Sequence, residues 1–130
     1  LIANDDEALR RMLGMYLEDA GYLVRLAADG NQALEAVLGF APDLVLLDVT
    51  MAKLDGLEVA RRLRAKCDAS NTRILMLSGL SGDIARSAGL QAGANEYMTQ
   101  PVQPLELLRR IACCFTWRKP GRTDSWAWLT

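Results

Sequence analysis

Histidine is absent from the 130 residues, and cysteine is scarce, at Cys67, Cys113 and Cys114. Without imidazole and without a CxxC pair, zinc has no ligand set here. An odd number of cysteines cannot close a fully paired disulfide framework. They read instead as small apolar filler in a reducing cytoplasm. The net charge is −1, so no excess of one sign draws the chain to nucleic acid or to an anionic membrane. No apolar run approaches the ~20 residues of a transmembrane helix, and no secretory signal is visible. No repeat of about 20 to 50 residues marks a solenoid. The chain opens on Leu1, not Met, directly inside an apolar run, as expected of a piece trimmed from a longer protein.

What is present is enough for one folded domain. Hydrophobic residues make up 51% and charged residues 24%, close to ordinary globular usage, and the length suits a single core. Strand-like and helix-like segments alternate from end to end. The run Leu1 to Ala3 stops at Asn4-Asp5-Asp6. From Glu7 to Ala20, Leu9, Met12, Leu13, Tyr16, Leu17 and Ala20 recur at three and four, the period of an amphipathic helix, and Gly21 stands where a C′ glycine ends one. "YLVRLAA" from Tyr22 reads as a second strand, broken at Asp29-Gly30. A short helix follows, with Ala33, Leu34, Val37 and Leu38 apolar and with Gly39 and Pro42 closing it.

"LVLL", Leu44 to Leu47, is apolar at every position, which suits a central parallel strand covered on both faces. It ends at Asp48. After a loop from Thr50 to Leu54, Asp55 and Glu58 have capping-box spacing. The helix they open turns Val59, Ala60 and Leu63 inward and Arg61, Arg62 and Arg64 outward. "RILMLS", Arg73 to Ser78, is a fourth buried strand. Ser81 or Asp83 is placed to cap a weak fourth helix through Ile84, Ala85 and Ala88. Gly93 then turns the chain into a fifth strand, Asn95 to Thr99. Pro104 opens a last helix, lined inward by Leu105, Leu108, Ile111, Ala112 and Phe115. Strict alternation predicts an α/β, three-layer, doubly wound, five-stranded parallel sheet. Residues 1–116 form the domain. Residues 117–130 are expected to form a polar, tryptophan-bearing tail, or a linker of the kind that leads toward an output domain.

In such sheets ligands bind beyond the carboxyl ends of the strands. Asp5 and Asp6, Asp48, Ser78 and Gln100 stand there. If the first and third strands are neighbours, three carboxylates share one pocket, and they repel one another unless a cation holds them. An all-oxygen donor set points to Mg²⁺, which organises phosphoryl transfer, and an aspartate is a competent nucleophile for it. Each residue alone is ordinary: Asp5 and Asp6 also suit a solvated helix start, and Gln100-Pro101 a turn. An acid ending a fully apolar strand is less so, because burying an unpaired carboxylate costs several kcal/mol.

The order of these segments resembles the receiver domains of two-component response regulators. "NDDEALR" (Asn4 to Arg10) resembles their acid pair, and "DLVLLDVTMAKLDGLEVARRLR" (Asp43 to Arg64) their LLDxxMPxxDG segment. "ILMLSG" (Ile74 to Gly79) resembles the strand ending in a switch hydroxyl, and "AGANEYMTQP" (Ala92 to Pro101) the AGAxxYxxKP segment. The resemblance runs from Leu1 to about Phe115. It implies the flavodoxin-like (βα)5 fold with strand order 2-1-3-4-5, and a cytoplasmic signalling switch that catalyses only its own phosphorylation and dephosphorylation. By the same resemblance Asp48 is the phospho-acceptor. Mg²⁺ is held by Asp6, Asp48 and the Thr50 backbone carbonyl, with Asp5 acting through a metal-bound water. Ser78 and Tyr97 are the switch pair, Tyr97 turning inward as Ser78 moves, and Gln100-Pro101 is cis. The partners implied are a sensor histidine kinase or phosphotransfer protein, and an output domain or downstream protein. The latter is reached through the helix four, strand five and helix five surface, including Arg86, Gln91, Glu96, Gln103 and Arg109. No direct nucleic-acid binding and no membrane association are expected, and a homodimer through that surface is compatible but demanded by no residue.

Three positions depart from the family pattern. Ala52 replaces a proline after the phospho-acceptor. Asn4 replaces an apolar residue before the acid pair. Gln100 replaces a lysine beside the phosphoryl group, and an amide donates a hydrogen bond but brings no charge. A pseudo-receiver with weakened or lost phosphorylation is therefore the alternative. A Mg²⁺-dependent phosphohydrolase fits less well, because Thr50 is no general acid. A flavodoxin-type binder would need a phosphate loop where Asp5 and Asp6 stand.

Overall fold

The computed structural model describes residues 1–51, 53–66 and 71–115. Ten elements alternate: β1 (Ile2–Ala3), α1 (Glu7–Asp19), β2 (Leu26–Ala27), α2 (Gly30–Phe40), β3 (Leu44–Leu47), α3 (Gly56–Ala65), β4 (Arg73–Ser78), α4 (Asp83–Ala92), β5 (Glu96–Thr99) and α5 (Pro104–Phe115). The strands form one parallel sheet in the order β2-β1-β3-β4-β5. This is the doubly wound arrangement expected from the alternation. Ala52, Cys67 and the tail from residue 117 lie outside the described residues.

The side-chain period of a strand sorts the core into two layers. Leu44 and Leu46 of β3, with Leu75 and Leu77 of β4, pack against Leu13 and Leu17 of α1 and Leu107 and Ile111 of α5. The alternate residues Val45, Leu47, Ile74 and Met76 pack against Ala33 and Val37 of α2, Val59, Ala60 and Leu63 of α3, and Ala92 of α4. All of β3 is buried, which explains why it carries no polar position. Each fully buried Leu contributes roughly 1.5–3 kcal/mol by its removal from water.

Helix starts follow local chemistry. Asp6, Asp29 and Asp55 each cap a helix by accepting a backbone N–H three residues on. Glu58 does not complete a capping box. Its carboxylate instead takes hydrogen bonds from Arg61 and Arg62. Neither Ser81 nor Asp83 caps α4, whose N-cap is Gly82, without a side-chain bond. Gly21 ends α1 with φ +99°.

Several boundaries differ from the sequence reading. The second strand shrinks to Leu26–Ala27 because β2 is an edge strand whose one partner, β1, is itself two residues long. The α2 helix runs past Gly39 to Phe40, and the left-handed residue that ends it is Ala41, with φ 50°. In α5 the buried positions are Leu107 and Ile111, flanked by half-buried Leu108, Cys114 and Phe115. Leu105 is 78% exposed, and Ala112 also faces solvent. The inner stripe is thus displaced around the helix from the one expected. Of the two described cysteines, Cys113 is exposed and Cys114 half-buried, so Cys113 is not core filler.

Arg64 does not face outward either. Its guanidinium donates to the carbonyls of Gly93 (2.9 Å) and Thr72 (2.6 Å) and to Asn95 Oδ1 (2.7 Å). Asn95 Oδ1 also accepts the Ile74 N–H at 2.8 Å. One side chain on α3 thereby ties the start of β4 to the α4–β5 turn. Burial, with Arg73 nearby, lowers its pKa from the usual guanidinium value.

Candidate functional site

Parallel pairing brings four strand ends to one edge. Ala3 is level with Leu47, and Leu47 with Met76. The Asp48 N–H donates to the Ala3 carbonyl at 2.9 Å, which places Asp48 beside Asn4 and the acid pair that follows. Ser78 is level with Thr99, and the Gln100 N–H donates to the Ser78 carbonyl at 2.7 Å. Strand order therefore gathers Asp5, Asp6, Asp48, Ser78 and Gln100 along one rim.

Asp48 is the electrostatically distinctive group. Its carboxyl pKa is pushed up to about 6. Burial is the main cause, and the negative charges of Asp5 and Asp6 add to it, against the N–H groups of Thr50 and Val49. The Thr50 N–H lies 3.2 Å from Asp48 Oδ1. Asp6 Oδ1 accepts the Leu9 N–H at 3.2 Å, and Asn4 Oδ1 accepts the Asp6 N–H at 2.9 Å. Asn4, odd for a strand end, is buried and shapes the acid-pair turn. Arg10 braces the same turn by donating to the Asn4 carbonyl at 2.8 Å.

The donor chemistry here is all oxygen, and the repulsion that lifts Asp48 is what a cation would relieve. Among the described residues no three carboxylate or thiol side chains are gathered tightly enough to enclose a metal by themselves. Mg²⁺ does not require that: it keeps several waters and takes one or two carboxylates. The residues present fit such an ion.

The loop after Asp48 is held from behind. The Gly56 N–H donates to the Val49 carbonyl at 2.7 Å, and a Cβ at Gly56 would collide with the Asp48 carbonyl. Gly30 meets the Leu54 carbonyl just as closely. Lys53 takes φ 69° and pairs with Asp29 at 3.6 Å. The sequence reading took Gly30 only as a strand breaker and gave no role of its own to Gly56. Both follow an aspartate N-cap, and that Asp-Gly pairing was the available signal.

Ser78 is fully buried, and its Oγ accepts the Leu80 N–H at 3.0 Å. Tyr97 is turned inward at 4% exposure, its hydroxyl donating to the Leu80 carbonyl at 2.8 Å. The Gln100–Pro101 bond is cis. Gln100 also lines a largely apolar cleft of about 580 Å³ between α1 and α5, with Leu9, Met12, Pro101 and Leu107.

A family model described as the response regulator receiver domain matches residues 1–112. The chain belongs to the response regulator receiver domain family. Among curated proteins it is 44% identical over 111 residues to the response regulator MprA of Mycolicibacterium vanbaalenii, covering 85% of this chain and 47% of that one. It is 44% identical over 120 residues to MprA of Mycobacterium leprae, covering 92% and 52%. It thus spans about half the length of these curated relatives. Among solved structures, the receiver domain of Francisella response regulator 1452 superposes with a TM-score of 0.84 at 28% identity, over 91% of this chain and 96% of that one. Chemotaxis response regulator CheY4 of Vibrio cholerae gives 0.83 at 30% identity, over 87% and 94%. Sequence and fold together place this domain among the receiver modules of two-component phosphorelay signalling.

On this receiver domain the expected α4–β5–α5 face is largely cross-linked. Arg86 donates to the Tyr97 carbonyl at 3.2 Å. Glu96 pairs with Arg110 at 2.6 Å, Arg110 with Glu106 at 2.8 Å, and Glu106 with Arg109 at 2.6 Å. Gln91 and Gln103 are exposed. Glu106 and Arg110 complete the network and were missed from sequence, although their spacing on a helix face announces such pairs. Among the described residues no helix is long and apolar enough to cross a membrane.

Proposed function

We propose that Asp48 accepts a phosphoryl group from the phosphohistidine of a sensor kinase or phosphotransfer protein. The carboxylate oxygen attacks phosphorus, the P–N bond breaks, and the imidazole departs with its electron pair, leaving an acyl phosphate. The observation that carries this is the half-buried Asp48 carboxyl at the end of β3, set beside the acid pair Asp5 and Asp6 by the pairing of β1 with β3. A carboxyl with pKa about 6 is still largely ionised at neutral pH, as a nucleophile must be. Asp5, Asp6, Asp48 and the Thr50 backbone carbonyl would hold Mg²⁺, which when bound neutralises charge on the phosphoryl oxygens.

Ser78 would answer the phosphoryl group with its hydroxyl. Its bond to Leu80, and that of Tyr97 to the same residue, supply a route from the site to the α4–β5–α5 face. That face would control an output domain or a separate protein, and a homodimer through it is compatible with the exposed positions.

Gln100 favours a second reading, a pseudo-receiver in which phosphorylation or its coupling is weakened. The uncharged amide at the rim of the α1–α5 cleft supplies no cation to a site that gains negative charge. The deciding experiment is incubation with Mg²⁺ and acetyl phosphate, followed by intact-mass measurement, with Asp48→Asn as control. A single phosphoryl adduct lost in that control supports the receiver reading. No adduct from a folded protein that still binds Mg²⁺ supports the pseudo-receiver. A Gln100→Lys variant should raise adduct level or lifetime; if neither changes, Gln100 is not the limiting residue.

A further inference from the structure

Gly89 sits inside α4, fully helical and buried. The glycines with positive φ are Gly21, Gly82 and Gly93, so Gly89 is not needed for backbone conformation. Alanine would favour the helix. What glycine provides is space. A Cβ at this position would lie 2.7 Å from Tyr97 Cδ2, 3.1 Å from Tyr97 Cε2 and 2.9 Å from Met76 Sδ. The Met76 sulfur is part of a flexible side chain and can yield. The Tyr97 ring is rigid, and its hydroxyl is held by the Leu80 carbonyl at 2.8 Å.

We propose that Gly89 is a notch in α4 that seats the Tyr97 ring inward and so makes the Ser78–Leu80–Tyr97 chain of contacts available to this domain. Leu80 is the shared element, its N–H on Ser78 Oγ and its carbonyl on the Tyr97 hydroxyl. Closing the notch pushes the ring off its seat and breaks the second of these contacts. It also disturbs α4 where Arg86 reaches the Tyr97 carbonyl. Gly89 is thus a positioning residue. It acts on the output face through Tyr97 and touches neither Asp48 nor a phosphoryl group. The functional consequence rests on the reading of Ser78 and Tyr97 as the route from the site to that face; the steric claim does not.

The test is a double-mutant cycle with a spectroscopic arm. Gly89→Ala should lower the urea midpoint in the natural background and raise it in a Tyr97→Ala background, where the ring volume is empty and only the helix preference remains. If Tyr97→Ala does not fold, Tyr97→Leu serves as the background, and there the loss should shrink. An equal loss in both backgrounds, or a gain in the natural one, overturns the proposal. With 3-fluorotyrosine incorporated and Tyr97→Phe used for assignment, the Tyr97 fluorine should show a small H₂O/D₂O shift, and Gly89→Ala should enlarge it to that of an exposed ring. An unmoved resonance overturns it. Acetyl phosphate separates this claim from the functional reading. Gly89→Ala should still acquire the Asp48 adduct while its Tyr97 resonance no longer responds. Loss of the adduct in Gly89→Ala alone overturns the purely positioning role. Absence of the adduct from both proteins refutes the receiver reading instead and leaves the notch to the first two arms.

Discussion

Replacing Asp48 by Asn should make the metal-free protein more stable at neutral pH, the opposite of what removing a hydrogen-bonded polar group usually does. The folded carboxyl has a pKa of about 6 against an ordinary 3.8, so folding opposes its ionisation. A tenfold change in an acidity constant corresponds to ~1.36 kcal/mol, for an upper figure of about 3 kcal/mol. Asp48 is only half-buried, and solvent screening reduces this to roughly 1–2 kcal/mol. The sign follows from linkage. Because the folded pKa is the higher one, the folded state binds protons more tightly. Its contribution is fully present below about pH 4 and is lost as pH rises through about 6. In Asp48→Asn the amide oxygen still accepts the Thr50 N–H, and that loss disappears. Urea denaturation from pH 4 to 8 in EDTA should therefore give coincident midpoints near pH 4 and a gap favouring Asn that opens up to pH 7. Parallel curves, or a less stable variant at pH 7, would refute the claim that burial and the acid pair burden Asp48. Added Mg²⁺ should then narrow the gap by stabilising the natural protein.

Other expectations probe the scaffold. Leu107→Ala should cost about 2–5 kcal/mol because Leu107 is fully buried, while Leu105→Ala, at 78% exposure, should stay within ~0.5 kcal/mol; denaturant midpoints of the two variants distinguish the observed α5 stripe from the expected one. Arg64→Ala should cost roughly 2–4 kcal/mol, since it leaves the Gly93 and Thr72 carbonyls without their charged donor, and hydrogen exchange should quicken first at the α4–β5 turn. Gly56→Ala should cost about 1–3 kcal/mol by overpacking against the Asp48 carbonyl, and should reduce Mg²⁺ affinity in a calorimetric titration by displacing the Asp48–Thr50 loop.

The alternating order of elements was legible in the sequence because it depends on neighbours. Leu44 to Leu47 is apolar at every position, and a strand covered on both faces allows nothing else. Asp55 caps α3 and Gly21 ends α1 through contacts a few residues long. The acids at the ends of β1 and β3 were visible for the same reason. Lengths and faces were less legible where a distant partner decides them. The second strand is as short as β1 because a ladder cannot outrun its partner. Arg64 looked like a solvent-facing arginine until Thr72, Gly93 and Asn95 were folded around it. Gly89 carried no signal in the sequence, and its fit against Tyr97 of β5 exists only in the folded chain. The raised pKa of Asp48 belongs to the same class. No local pattern encodes it, because burial and the field of Asp5 and Asp6 are sums over groups more than 40 positions away, set only when β1 and β3 lie side by side.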